Sequence, residues 1–159
     1  MKKTRKICIC SGGQTGIDRA ALDAGMELDL LTVGWCPKNR RAENGNIPEK
    51  YTLIETNSPD YWKRTKLNVI ESSATLILLP ENKKKCRGSF LTLSYAKKYI
   101  KPYLIINMNK VDYENINKWL LKNKPKILNI AGPRESNYPG IYRNGKKIIK
   151  KILENYINC

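Results

Sequence analysis

The apolar run Ile7-Cys8-Ile9-Cys10 meets the turn Ser11-Gly12-Gly13-Gln14-Thr15-Gly16 and passes at once into a helix-patterned segment. This strand, glycine turn and helix constrain the chain more than any other stretch. Ile17, Ala20, Ala21, Ala24 and Leu28 recur on one face of a helix, and their small size suits close packing on a sheet. A helix that starts directly after glycines presents unpaired amides and the positive end of its dipole to the turn, with no side chain in the way. A phosphate is the expected occupant. The spacing Gly12-Gly13-x-x-Gly16 matches neither the dinucleotide fingerprint nor the P-loop, so the ligand is not read from it. The alternative is a plain tight turn, with Arg19 paired to Asp23 one helical turn on.

The remainder alternates in the same way. Leu30 to Trp35 reads as a second strand that stops at Cys36-Pro37, and residues 38–48 read as a basic loop before a strand over Tyr51 to Glu55. Ser58-Pro59-Asp60 reads as the start of a helix reaching about Ser72. Ala74 to Leu79 is the most continuous apolar strand, as in a parallel sheet covered on both faces. A polar, lysine-rich loop follows it, and Gly88-Ser89 opens a helix with Leu93, Ala96 and Ile100 on one side. Tyr103 to Ile106 and Ile127 to Ala131 are further strands, separated by a helix that Asp112 caps, with Val111 and Ile116 as its hydrophobic staple. Ile148, Ile149, Ile152, Leu153, Tyr156 and Ile157 stripe the last helix. Strand and helix in alternation predict an α/β fold with a mainly parallel central sheet flanked by helices on both faces, and ligands bound at the carboxyl ends of the strands. At 159 residues, one domain over 1–159 is expected.

Lysine and arginine number 30 against 14 acidic residues, a formal charge of +16, so the field around the molecule draws in anions. The excess is mostly scattered lysine, which coding composition alone could produce. No nucleic-acid-binding motif accompanies the lysine runs, and nucleic acid is not expected as the main partner. The absence of histidine excludes a histidine base and a histidine-ligated metal. Five cysteines without a C-x-x-C pair suggest neither a disulfide framework nor a thiolate zinc site. Cys8 and Cys10 read as small buried hydrophobes, and Cys36 as a packed thiol rather than a soft metal ligand. The basic start Met1 to Lys6 precedes an apolar run too short for a signal peptide, and no membrane span follows. The expected location is the cytoplasm.

The segments SGGQTGIDRAALDAG, GWCPKNRRAENGNIP, RTKLNV, SSATLILL and NIAGPRESNYPGIY stand in this order. With them the chain resembles the molybdenum carrier family, a branch of the Rossmann-like proteins that include the YpsA proteins and the lysine-decarboxylase-like LOG enzymes. The resemblance implies a Rossmann-like three-layer fold, a homo-oligomer, and a pocket for a small anionic ligand: molybdenum cofactor of the molybdopterin type, or another phosphorylated, nucleotide-like molecule. The family's first glycine motif falls on Gly12, Gly13, Gln14, Thr15 and Gly16, with Asp18 and Arg19 behind it. Its tryptophan-cysteine-proline segment and basic loop fall on Trp35, Cys36, Pro37, Lys38, Arg40, Arg41 and Glu43. Arg134, Glu135 and Ser136 match a third motif.

Related sequences carry a glycine-glycine-threonine turn at the second phosphate loop, where this chain reads Arg87-Gly88-Ser89. Arg87 either strengthens anion binding or fills the ligand's space. LOG enzymes carry a glutamate on the following helix. Here Ser89 to Tyr95 holds no carboxylate, so binding without turnover is favoured and no catalytic residue is assigned. The alternatives are a nucleotide hydrolase using Asp18, Arg19 and Glu43, and a nucleotide-sensing module.

Overall fold

A computed structural model describes residues 5–159; the basic start Met1 to Thr4 lies outside the described residues. In chain order the elements are β1 (Cys8–Cys10), α1 (Ile17–Glu27), β2 (Leu31–Val33), β3 (Trp35–Cys36), β4 (Arg41–Ala42), β5 (Gly45–Asn46), β6 (Ile54–Glu55), α2 (Tyr61–Glu71), β7 (Ala74–Leu79), α3 (Arg87–Lys98), β8 (Tyr103–Asn107), α4 (Tyr113–Asn123), β9 (Ile127–Ala131) and α5 (Ile141–Ile157). The central sheet runs β2-β1-β9-β7-β8, and every pairing in it is parallel. The last strand in sequence is thus the middle strand in space, paired to β1 on one side and to β7 on the other.

All six residues of β7 are buried, because alternate side chains serve opposite faces. Ala74, Leu76 and Leu78 join the core beneath α1, α4 and α5, whereas Ile77 and Leu79 meet Cys86 and Leu93 at the head of α3. Helices α1 and α5 pack together on the first face, α2 and α3 on the second. This is the Rossmann-like three-layer α/β arrangement.

The structure departs from the sequence pattern in several places. The run Leu30 to Trp35 is two strands, broken at Gly34, where φ is +151° and a Cβ would stand 2.0 Å from the Ser11 carbonyl oxygen. Only glycine admits that approach. Beyond it Trp35–Cys36 leaves the central sheet and pairs with β6, so the expected strand over Tyr51 to Glu55 shrinks to two residues. Asn68 of α2 fixes this detour, its Oδ1 accepting from the Trp35 amide at 2.7 Å and its Nδ2 donating to the Trp35 carbonyl at 3.0 Å. The loop 38–48 carries a helical turn and the hairpin β4–β5. Asp112 caps α4 as expected, accepting from the Asn115 amide at 3.0 Å. Ser58 instead bonds the Asp60 amide ahead of α2. Ile100, expected on the buried side of α3, is 90% exposed, because the helix has already ended and φ at Ile100 is +54°.

Candidate functional site

The first glycine turn lies at the carboxyl end of β1, as its pattern requires, but Ser11 to Gly16 are all buried. The space a phosphate would take is filled from within. A Cβ on Gly12 would stand 2.1 Å from Nη1 of Arg64, and one on Gly13 would stand 2.6 Å from Cδ1 of Leu53. The head of α1 is also tied up: the Gln14 amide donates to Asp18 Oδ2 at 3.3 Å, the Thr15 amide to Gln14 Oε1 at 3.0 Å, and the Ile17 amide to the Pro133 carbonyl at 3.2 Å. The turn expected to grip an anion is a sealed joint holding α1 to β9 and α2. Gly13, at φ +76°, serves it by conformation. Gly13→Ala is therefore expected to lower stability by at least about 1–2 kcal/mol, from the left-handed backbone alone, measurable by denaturant titration of the protein without ligand.

The open space lies beside this joint, a cavity of about 790 Å³ between the carboxyl ends of the sheet and the heads of α2 and α3. That is the size of a nucleotide-scale ligand site. One of its walls is the start of α3, the second glycine-containing turn of the sequence. Among the described residues no acceptor meets the amides of Arg87, Gly88 and Ser89, the unpaired donors of the first turn. A Cβ on Gly88 would meet nothing within 4 Å. Ser89 is 3% exposed, lines the cavity, and its hydroxyl has no hydrogen-bond partner among the described residues. A buried hydroxyl without a partner is costly and uncommon, and here it stands at the head of a helix facing open space. Arg87 is exposed and, among the described residues, paired with no carboxylate, so it lines the cavity without filling it.

Of the other expected site residues, Gln14, Asp18, Arg41 and Arg134 line the same cavity. Gly16 and Thr15 do not; the Thr15 hydroxyl donates to Glu43, which also accepts from the Ser136 hydroxyl and stands 3.8 Å from Arg134. Burial works to raise the Glu43 pKa, but the hydrogen bonds from Ser136 and Thr15 outweigh it and hold the carboxyl below its ordinary value. Glu43 therefore clamps the loop after β9 to the first turn. Arg19 does not pair with Asp23. Its Nε donates to the Gly13 carbonyl at 3.0 Å and its Nη2 to Asn44, while Asp23 takes Lys50 and the Tyr142 hydroxyl. Arg40 binds the carbonyls of Ile47, Pro48 and Tyr51, holding the hairpin loop rather than a ligand. Lys38 is exposed and outside the cavity. Cys36 is fully buried among Leu22, Ala42, Ile47 and Tyr51, and that burial pushes its thiol pKa up, away from the thiolate a metal would need. Of Asp18, Arg19 and Glu43, the residues a hydrolase would use, only Asp18 reaches the cavity.

Sequence reasoning missed α2 as a wall of the site. Tyr61 and Arg64 both line the cavity, and Nη1 of Arg64 donates to Asp18 Oδ2 at 3.1 Å, with the two side chains only 13% and 5% exposed. Burial raises the Asp18 pKa, with Arg64 the chief opposing influence.

A parallel sheet with an open cavity over its carboxyl edge, between the heads of two helices, defines a Rossmann-like α/β protein. The model of the circularly permuted YpsA SLOG family matches residues 9–153, and the chain belongs to that family. It is also similar to a crystal structure from Syntrophus aciditrophicus SB described as a "Putative molybdenum carrier protein", at 40% identity and a TM-score of 0.85, covering 98% of this chain and 97% of that one. No curated protein matches the chain. Among the described residues no helix is long and apolar enough to cross a membrane.

Proposed function

We propose that this protein binds and carries a phosphorylated small molecule, of the molybdenum-cofactor type or a related nucleotide-like anion, with its phosphate at the head of α3. The unpartnered Ser89 hydroxyl carries this reading. Together with the free amides of Arg87, Gly88 and Ser89 it offers four donors that nothing among the described residues uses. A phosphate oxygen placed there would satisfy them, and the dipole of a twelve-residue helix favours its charge. These residues fit the phosphate end of a pterin cofactor, and Arg87 supplies a forked cation beside it. The name of the similar crystal structure supports a molybdenum-related cargo. A homo-oligomer is the assembly the family resemblance implies.

Ser89→Ala tests the proposal in two directions at once. Removing a buried hydroxyl that lacks a partner is expected to stabilise the ligand-free protein, by about 1 kcal/mol. The same change removes a donor to a charged group, which should weaken phosphate binding by roughly tenfold or more. Thermal unfolding and calorimetric titration with inorganic phosphate read the two effects, and native mass spectrometry of the protein as purified weighs any bound anion and counts subunits. Unchanged phosphate affinity in a more stable Ser89→Ala protein would place the ligand elsewhere.

A further inference from the structure

The same cavity has a second cationic pole, on elements other than α3. Three guanidinium groups converge on the ring of Tyr61: the Cζ atoms of Arg41, Arg134 and Arg64 lie 4.8, 5.3 and 5.8 Å from its centroid. They come from β4, from the loop after β9 and from α2, so folding gathers them from distant parts of the chain. All three line the cavity, as do Arg87 and Lys85 at the other wall, against the two carboxylates of Asp18 and Asp60. Arg64 is matched by Asp18, and the Glu43 carboxylate near Arg134 already accepts from Thr15 and Ser136. Arg41 donates only to the Pro59 carbonyl, at 3.3 Å, and has no carboxylate partner among the described residues. A π face attracts guanidinium but offsets only part of the repulsion among three of them. Two further polar atoms are left over here, Nε of Arg64 and Nε2 of Gln14, both buried without a partner among the described residues and both on residues that line the cavity, and Gln14 itself is only 5% exposed.

We infer that the Tyr61 pole is a second anion subsite, formed chiefly by Arg41 and Arg134. The ligand then carries an anionic group at each end, a phosphate on α3 and a further phosphoryl or other tetrahedral oxyanion beside Tyr61. A guanidinium fork matches such an oxyanion in shape as well as charge. This assignment rests on the proposed function, since both subsites belong to one ligand, yet the two come apart experimentally.

Tungstate serves as the probe because it is tetrahedral, doubly charged and visible by anomalous scattering. Crystals of the full chain grown with tungstate should show two positions, one at the amides of residues 87–89 and one within hydrogen-bonding reach of Arg41 and Arg134. In R41Q/R134Q the second should vanish and the first remain, with the solution stoichiometry falling from two to one, while R41K/R134K, which keeps the charge, should retain both. Tungstate at α3 alone in the parent protein, or a second position that survives R41Q/R134Q, overturns the inference and leaves the proposed function standing. Tungstate beside Tyr61 alone supports the inference and overturns the α3 phosphate site; tungstate at neither overturns both.

Discussion

Replacing Arg64 by methionine is expected to cost about 3–5 kcal/mol at neutral pH, because it leaves the buried Asp18 carboxylate without its counter-charge. Asp18 is 3% exposed, and the Gln14 amide, at 3.3 Å, does not replace the guanidinium's charge. The pH dependence has a definite sign. Burial already raises the Asp18 pKa in the folded protein, and Arg64 is the largest influence holding it down, so removing Arg64 raises it further. A carboxyl whose folded pKa lies above its unfolded value binds protons more readily in the native state, so its effect on stability turns more favourable as pH falls. The deficit of Arg64→Met relative to the parent should therefore be greatest near pH 7 and shrink as the pH drops toward the folded pKa of Asp18. Urea unfolding of both proteins across that range provides the measurement. Adding Asp18→Asn should recover much of the loss at pH 7; a double variant as unstable as Arg64→Met would mean that guanidinium packing over Gly12, not charge, dominates.

Reversing the charge at Arg87 should act almost wholly on binding. Arg87 is exposed and unpaired among the described residues, so Arg87→Glu is expected to change stability by no more than about 0.5 kcal/mol. At the cavity it replaces a forked cation by an anion beside the α3 amides. The expected loss of phosphate affinity is roughly 1.5–3 kcal/mol, about 10- to 150-fold. Because Arg87 is in contact with solvent, the difference between variant and parent should narrow as salt is raised. Calorimetric titrations at low and physiological ionic strength check both statements, and equal affinities in the two proteins would remove Arg87 from the site.

The parallel sheet and its helices were legible because their apolar spacing is local. The continuous run Ala74 to Leu79 and the stripes of α1 and α5 need no partner to be recognised. The break at Gly34 was not legible, since its cause is the Ser11 carbonyl, a contact that exists only once β1 and β2 lie together. The site divided along the same line. Both glycine turns could be seen, at Gly12 and at Gly88, but nothing local says which is open and which is filled. That depends on Arg64, which sits inside the RTKLNV segment as one more charge on an amphipathic helix and gains its meaning from Asp18, 46 residues earlier. Arg40 and Arg41 are adjacent in sequence yet serve a loop and a cavity respectively, a distinction made by the hairpin β4–β5 alone.

The position of β9 governs how this chain must come together. β1 and β2 are made first and β7 and β8 much later, and β1 and β7 do not pair with each other; both wait for residues 127–131. On the ribosome the nascent chain thus holds two open strand edges until residues 127–131 have been synthesised. Such edges are sites for mispairing between chains, and closing them demands contacts between remote segments, which slows folding. Because the loop after β9 brings Arg134 to the cavity, the wall of that cavity is complete only once this loop has been made.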